Sequence, residues 1–213
     1  ACSGYVYGLM ATGSLMQSGQ VKRALLLVGE MTSKNQSDRD KTVWPLHGDA
    51  GSATLLEFDP SACPMQFCLG SDGAGYDAII CHEMGVREPT TAASLKIHKL
   101  DEGIERNATQ CAMDGMSVFS FAISRPGKCI KQLCERYGID LPNIDYLLIH
   151  QANKMIDEKI RRKLKLSEQQ VPYSMPTYGN TSSCTIPVTM TSQIAEQLRS
   201  RPCELVMCGF GSG

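Results

Sequence analysis

The sequence predicts an α/β fold with a mainly parallel, buried sheet, and three observations carry that prediction. Short strand-like runs alternate with segments of helical period along the 213 residues. The strand-like runs, such as "RALLLVGEM" (23–31), are continuously apolar rather than alternating, which marks a strand covered on both faces. Polar groups that can do chemistry fall at the ends of those runs and in the turns after them, where sites in such sheets gather.

Each element follows in order. Residues 3–18 are small and apolar, carry no charge and stop near Gly19, which predicts a helix with Cys2 at its head. The run 23–31 is a strand, "GSATLLEFD" (51–59) another, and "PSACP" (60–64) a linker before "MQFCLGSDG" (65–73) opens a second block. From about 75 to 112 the chain is irregular and mixed in charge, and reads as loops with at most a short helix. Residues 114–138 place apolar side chains at 118, 119, 122, 123, 130 and 133, between Asp114 at the start and Gly138 at the stop. Pro126 is expected to kink or split that helix. "IDYLLIH" (144–150) is a strand ending on His150, followed by a helix in "NKMIDEKIRRKLKL". Residues 186–200 form a further helix and 203–210 a final strand.

A charged fraction of 20% and a net charge of −1 point away from nucleic acid or an anionic membrane as the main partner. The ten cysteines contain no CxxC pair and no Cys/His cluster at zinc spacing, and several sit in apolar runs such as "VMCGF". Unpaired thiols in a reducing compartment, and no metal, are therefore expected. No apolar run approaches the about 20 residues of a membrane span, and no signal peptide opens the chain. These features predict a cytoplasmic globular protein.

Three residues at element boundaries can form a nucleophilic set. Cys2 lies near a helix N-terminus, where the macrodipole favours thiolate. His150 closes a strand, and Asn180 lies in the turn "YGNTSSC". Each also has a plain structural reading: a packed thiol, a hydrogen-bonded strand-end histidine, and a helix-capping turn. Pattern alone leaves both readings open.

Six stretches narrow the choice. "ACSGYVYGL", "HGDAGSATLLE", "MDGMSVFSFAI", "IHQANKMI", "YGNTSSCTIPV" and "CGFGSG" stand in the order seen in β-ketoacyl-acyl-carrier-protein synthase III, which the chain resembles over nearly its whole length. The resemblance implies the layered αβαβα thiolase-like fold. Residues 1–59 would be the end of its N-terminal half and residues 65–213 most of its C-terminal half. It implies that the family's first third would stand before Ala1 and its closing strand after "GFGSG", and that the chain needs that first part for stability. Around 75–112 the chain is expected to be longer than typical members.

The resemblance also implies roles. Cys2 matches the cysteine acylated from a thioester, and His150 and Asn180 match the pair that stabilises the enolate formed when a malonyl thioester loses CO₂. The acyl oxyanion would be held by the backbone N–H groups of Cys2 and Ser212, with Ser212 standing where the family usually has glycine. Phe210 matches an aromatic residue beside the thiol, and Asn153 part of a water network. Lys41 replaces an arginine that stacks on the CoA adenine, with Trp44 near enough in sequence to stack instead. Met116 stands at a CoA-contacting asparagine position, and Met155 where an arginine is usual. "EKIRRKLK" (158–165) holds five basic residues. Arg162 and Lys163 among them match positions that dock acyl carrier protein; the alternative is a solvated face partnered by Glu158. His47 and Asp49 in "HGD" read as structural, Asp49 bonding backbone within its turn. "DGAGYD" (72–77) lacks the context of a nucleotide site.

The implied activity is decarboxylative Claisen condensation of an acyl primer, carried by CoA or acyl carrier protein, with malonyl-acyl-carrier protein. It would run through an acyl-Cys2 intermediate in a homodimer, with acyl-CoA and malonyl-carrier protein as substrates and no cofactor. A non-condensing acyl shuttle or thioesterase, and a non-catalytic partner subunit of a heterodimeric synthase, are the alternatives.

Overall fold

The computed structural model describes residues 1–212. Helix α1 runs Gly4–Gln17, followed by strands β1 (Arg23–Glu30) and β2 (Ala50–Glu57). Four two-residue strands come next: β3 (Ile79–Ile80), β4 (His98–Lys99), β5 (Glu105–Arg106) and β6 (Ala112–Met113). The remainder is α2 (Gly115–Tyr137), β7 (Tyr146–Ile149), α3 (Lys154–Leu164), α4 (Met175–Tyr178), α5 (Thr185–Gln193), α6 (Ala195–Ser200) and β8 (Leu205–Cys208).

Apolar contacts stack these elements in layers. Strands β7 and β8 pair in parallel, from Tyr146↔Leu205 to Ile149↔Cys208. Side chains alternate between faces, so Leu148 points one way and Leu147 and Ile149 the other. Leu148 meets Tyr5 and Leu9 of α1 and Ile186 of α5, with Leu26, Val28 and Leu56 of β1–β2 closing that cluster. Leu147 and Ile149 meet Ile130 and Cys134 of α2 and Ile156 and Ile160 of α3. The order is therefore the β1–β2 sheet, the α1/α5 layer, the β7–β8 sheet and the α2/α3 layer: four layers of an αβαβα arrangement. Gly8 lets α1 lie down on β1, because a Cβ there would stand 2.7 Å from Leu26 Cδ1.

Local chemistry sets the element ends. Asp114 caps α2 by accepting from the N–H groups of Met116 and Ser117, and Gly138 closes it at φ +69°. Asn153 caps α3 by accepting from Ile156 N–H.

Several expectations need correction. The sheets are not mainly parallel: β1 and β2 pair antiparallel, as do β3 with β6 and β4 with β5. Nor is β1 covered on both faces, for Leu25 and Leu27 are exposed; among the described residues only the α1/α5 side covers it. Pro126 does not split α2, which is assigned without a break from Gly115 to Tyr137. The ring removes one N–H donor, but Ala122, Pro126 and Ile130 are buried together, and tertiary packing of that face outweighs the local defect. Residues 186–200 are two helices, because Ile194 leaves the helical region at φ −132° and ψ 15°. The reading of residues 75–112 as loops stands, for they hold short ladders and 3-10 turns. Asp49 accepts from the backbone N–H of Ser33, reaching a neighbouring turn rather than its own.

Candidate active site

Both sheets and the central helix layer converge on Cys2. The residue stands just ahead of Ser3, the N-cap of α1, so the positive end of that 14-residue helix lies beside it. Two glycines let the chain after β8 cross it. A Cβ at Gly211 would lie 2.7 Å from both Cβ and Sγ of Cys2, and one at Gly209 would lie 3.0 Å from Ser3 Cα. The spacing of "CGFGSG" thus follows from close backbone approach to a thiol.

His150 is the residue after β7. It is 2% exposed, and its backbone N–H donates to Cys208 O at 2.9 Å, extending the parallel ladder by one bond. Its imidazole faces the Cys2 thiol closely enough to draw its pKa down, its Nδ1 lies 2.9 Å from Thr185 Oγ1, and Phe210 stacks edge-on at 5.3 Å between centroids. Burial pushes the Cys2 thiol up. The hydrogen bond to His150, the charge of His150 and the Ser182 hydroxyl together outweigh burial and bring it down to about 7. At neutral pH a large share of Cys2 is therefore thiolate.

Asn180 reaches the site on a clamped turn. Its N–H donates to Leu46 O (2.8 Å) and its carbonyl accepts from Gly48 N–H (3.0 Å), forming a bridge with His47. A Cβ at Gly48 would stand 2.1 Å from Tyr178 O, so only glycine fits the clamp. Asn180 Oδ1 accepts from Ser182 N–H at 2.9 Å, which leaves its Nδ2 hydrogens to donate elsewhere. Ser182 itself sits at φ +52° and donates its hydroxyl to Cys2 Sγ at 3.7 Å. A strained non-glycine residue touching both the thiol and the amide is the signature of a functional turn. His47 is held toward its neutral form by burial and by the charge of His150, against the hydrogen bond to Val43.

Three contributors were not legible beforehand. Gln151, wholly buried, donates to Ile149 O and accepts from Ser174 and Met175 N–H, tying the strand that carries His150 to α4, which leads into Asn180. Ser182 and Thr185 lie in the quoted "GNTSSCT", yet nothing in their spacing says that they reach Cys2 and His150.

Ser212 is exposed and directly follows Gly211, whose backbone is pressed against Cys2. The other expected residues lie apart. Asn153 serves as the cap of α3. Lys41 pairs with Glu102 at 3.2 Å on the surface. Trp44 is half-exposed in a 3-10 turn, and Met116 is exposed at the start of α2. On α3, Arg161 is mostly buried and gives two bonds to Glu158, and Lys159 covers the Phe119 ring at 4.5 Å. Glu158 is drawn down to about 2, first by Arg161. Arg162 also reaches Glu158 (3.3 Å), and Lys163 reaches Ile123 O (3.4 Å), both from exposed positions. The basic stretch is thus partly a packing device. A cavity of about 1360 Å³ opens beside the site, lined by Ser3, Val6, Phe210 and Gly211 near Cys2 and by Cys68 and Cys129 farther out.

Two family models match the chain. One, described as 3-oxoacyl-[acyl-carrier-protein (ACP)] synthase III, matches residues 1–73, and the other, the C-terminal part of the same synthase, matches residues 134–213. A β-ketoacyl-[acyl-carrier-protein] synthase III from Clostridium acetobutylicum is 30% identical over 213 residues, covering 100% of this chain and 62% of that protein. A solved 3-oxoacyl-(acyl-carrier-protein) synthase III superposes with a TM-score of 0.93 at 32% identity, over 99% of this chain and 63% of the other. The 3-oxoacyl-(acyl-carrier protein) synthase of Burkholderia xenovorans LB400 does so with a TM-score of 0.86 at 32% identity, over 100% and 59%. The chain spans less than two thirds of the length of these relatives.

Proposed function

The chain belongs to the 3-oxoacyl-[acyl-carrier-protein] synthase III family, and from that premise we propose that it carries the acyl-accepting thiol and the decarboxylation site of a condensing acyltransferase. The observation that supports this most is the interaction of Cys2 with His150, beside a turn in which Ser182 N–H occupies Asn180 Oδ1 and leaves the Nδ2 hydrogens to donate. The Cys2 thiolate attacks the carbonyl of an acyl thioester, whose donor is acyl-CoA or acyl carrier protein. The carrier thiolate leaves, and acyl-Cys2 remains. A malonyl thioester on acyl carrier protein then loses CO₂ next to His150 and Asn180. No base is needed for that step, but N–H donors aimed at the enolate oxygen are, and these two side chains supply them. The carbanion attacks the acyl carbonyl and Cys2 leaves as thiolate, giving a 3-oxoacyl thioester.

The finer assignments belong to the same reading. Residues 1–59 and 65–213 form its two halves. Backbone N–H groups of Cys2 and Ser212 hold the acyl oxyanion, Phe210 walls the thiol, and Asn153 orders water near His150. Lys41, Trp44 and Met116 meet the CoA portion, and Arg162 and Lys163 meet the acidic carrier protein. The enzyme works as a cytoplasmic homodimer on its substrates without a cofactor. Among the described residues no helix is long and apolar enough to cross a membrane.

The test is release of CO₂ from malonyl-acyl-carrier protein. His150→Ala and Asn180→Ala are each expected to lower the rate by about 10²–10³-fold, the usual cost of one lost oxyanion donor, while acyl-Cys2 still forms in Asn180→Ala. Acylation with no CO₂ release from the unaltered protein would replace the condensing reading with that of an acyl shuttle or thioesterase.

A further inference from the structure

We infer that Thr185 is a positioning residue that fixes which nitrogen of His150 carries the proton, so that His150 accepts the proton of the Cys2 thiol. The argument is a count of hydrogens. Thr185, 1% exposed at the start of α5, has one hydroxyl proton. That proton is directed at Ser182 O, 3.0 Å away, and a carbonyl can only accept. Toward His150 Nδ1, 2.9 Å away, the Thr185 oxygen is then left to accept, so Nδ1 must bear the hydrogen. A neutral imidazole carries a single N–H. The nitrogen turned toward Cys2, Nε2, therefore presents a lone pair.

The same arrangement orders the proton's path. The S–H bond of Cys2 breaks as Nε2–H forms, leaving a thiolate beside an imidazolium. When the thiolate forms its bond to an acyl carbon, the carbon–sulfur bond of the donor breaks and its sulfur leaves as a thiolate, so the imidazolium keeps its proton on Nε2 for the step that follows. A second consequence concerns the enolate: in this tautomer His150 donates from Nε2 only when both ring nitrogens are protonated. The ionisable groups around the ring are Cys2 from the head of α1, His47 from the clamp, Glu30 at the end of β1 through its bond to Ser183 at 3.0 Å, the Ala1 amino group 3.4 Å from Glu30, and the buried Cys184 and Cys208. Thr185 adds no charge to this set; it acts through geometry alone. The inference deepens the reading above and rests on it for the role of Cys2 as acyl acceptor, but its test uses no acyl donor.

The experiment is the pH profile of Cys2 alkylation by iodoacetamide, followed at the Cys2 peptide by mass spectrometry, in the unaltered protein, Thr185→Val and Thr185→Ser. The unaltered protein should show a midpoint near pH 7. Thr185→Val, similar in volume but without the hydroxyl, should move the midpoint toward that of an ordinary thiol and slow alkylation at pH 7 on the order of tenfold. Thr185→Ser should restore both. Coincident profiles for Val and the unaltered protein, or a Ser variant that behaves like Val, would overturn the inference. Should Thr185→Val fail to fold, ¹⁵N spectra of the unaltered protein's histidines decide: a neutral His150 with its hydrogen on Nε2 contradicts the assignment, and one with it on Nδ1 supports it. A protein that passes this test yet takes no acyl group would sink the proposed function and leave the tautomer standing.

Discussion

Strands β7 and β1 are both continuous apolar runs, yet Leu147, Leu148 and Ile149 of β7 are 0% exposed while Leu25 and Leu27 of β1 are 59% and 65% exposed. The difference lies in what each sheet has beside it. β7 lies between the α1/α5 layer and the α2/α3 layer, whereas β1 has cover from α1 and α5 alone among the described residues. Leu25, Leu27 and Leu55 form the bare face. An apolar run thus reports the surroundings a strand is suited to, not those that the chain around it supplies. The functional arrangement follows the same division. His150 hangs from the doubly covered strand and is locked by Cys208, Thr185 and Phe210. The half-covered strand ends at Glu30, which reaches the site through Ser183 and through the amino group of Ala1.

The comparison can be broken first at Leu148. Leu148→Ala removes a wholly buried side chain between two layers and is expected to cost about 2–5 kcal/mol in chemical denaturation. A cost below about 1 kcal/mol would mean that the centre is not packed as described.

Asp157 sharpens it next. This acid of α3 is 0% exposed, and neither of its oxygens has a hydrogen-bond partner. Burial, and then the charge of Glu158, hold its carboxyl well above the usual carboxylate range. The folded state therefore keeps a proton that the unfolded state gives up. Its contribution to stability is fully present below the unfolded value, near pH 4, and is lost as pH rises toward the folded value. Asp157→Asn removes that loss. Its denaturant midpoint should exceed that of the unaltered protein at pH 7, and the gap should close toward pH 4. A gap independent of pH would show that Asp157 is not a buried neutral acid.

The smallest effect is expected on the bare face. Leu27→Glu should change stability within about 0.5 kcal/mol, as surface substitutions do, although the same change at a covered position would be severe. A large loss would mean that this face is covered in solution.

Much of this was legible in the residues. The apolar period of 114–138 with its start and stop at Asp114 and Gly138, and the helix read in 153–166, correspond to α2 and α3, because both helices are amphipathic and their ends are set locally, at Asn153 by a cap that the sequence reading did not single out. Cys2, His150 and Asn180 could be singled out only through their motifs, since a lone thiol or imidazole has a structural use more often than a chemical one. What escaped was non-local. That β1 pairs antiparallel with β2 depends on a long return through residues 31–49, and Pro126 is tolerated because of the layer it faces. Thr185 acquires its meaning only once α5 brings its hydroxyl under a histidine that stands 35 residues earlier in the chain.

The central claim is that Cys2 is an acyl acceptor, and the most direct test is the intact mass of the protein after mixing with a panel of acyl-CoA and acyl-carrier-protein donors, beside a Cys2→Ala control. The account predicts an increase of one acyl mass that is absent from the control. An adduct that persists in Cys2→Ala, or none from any donor of either kind, would contradict it.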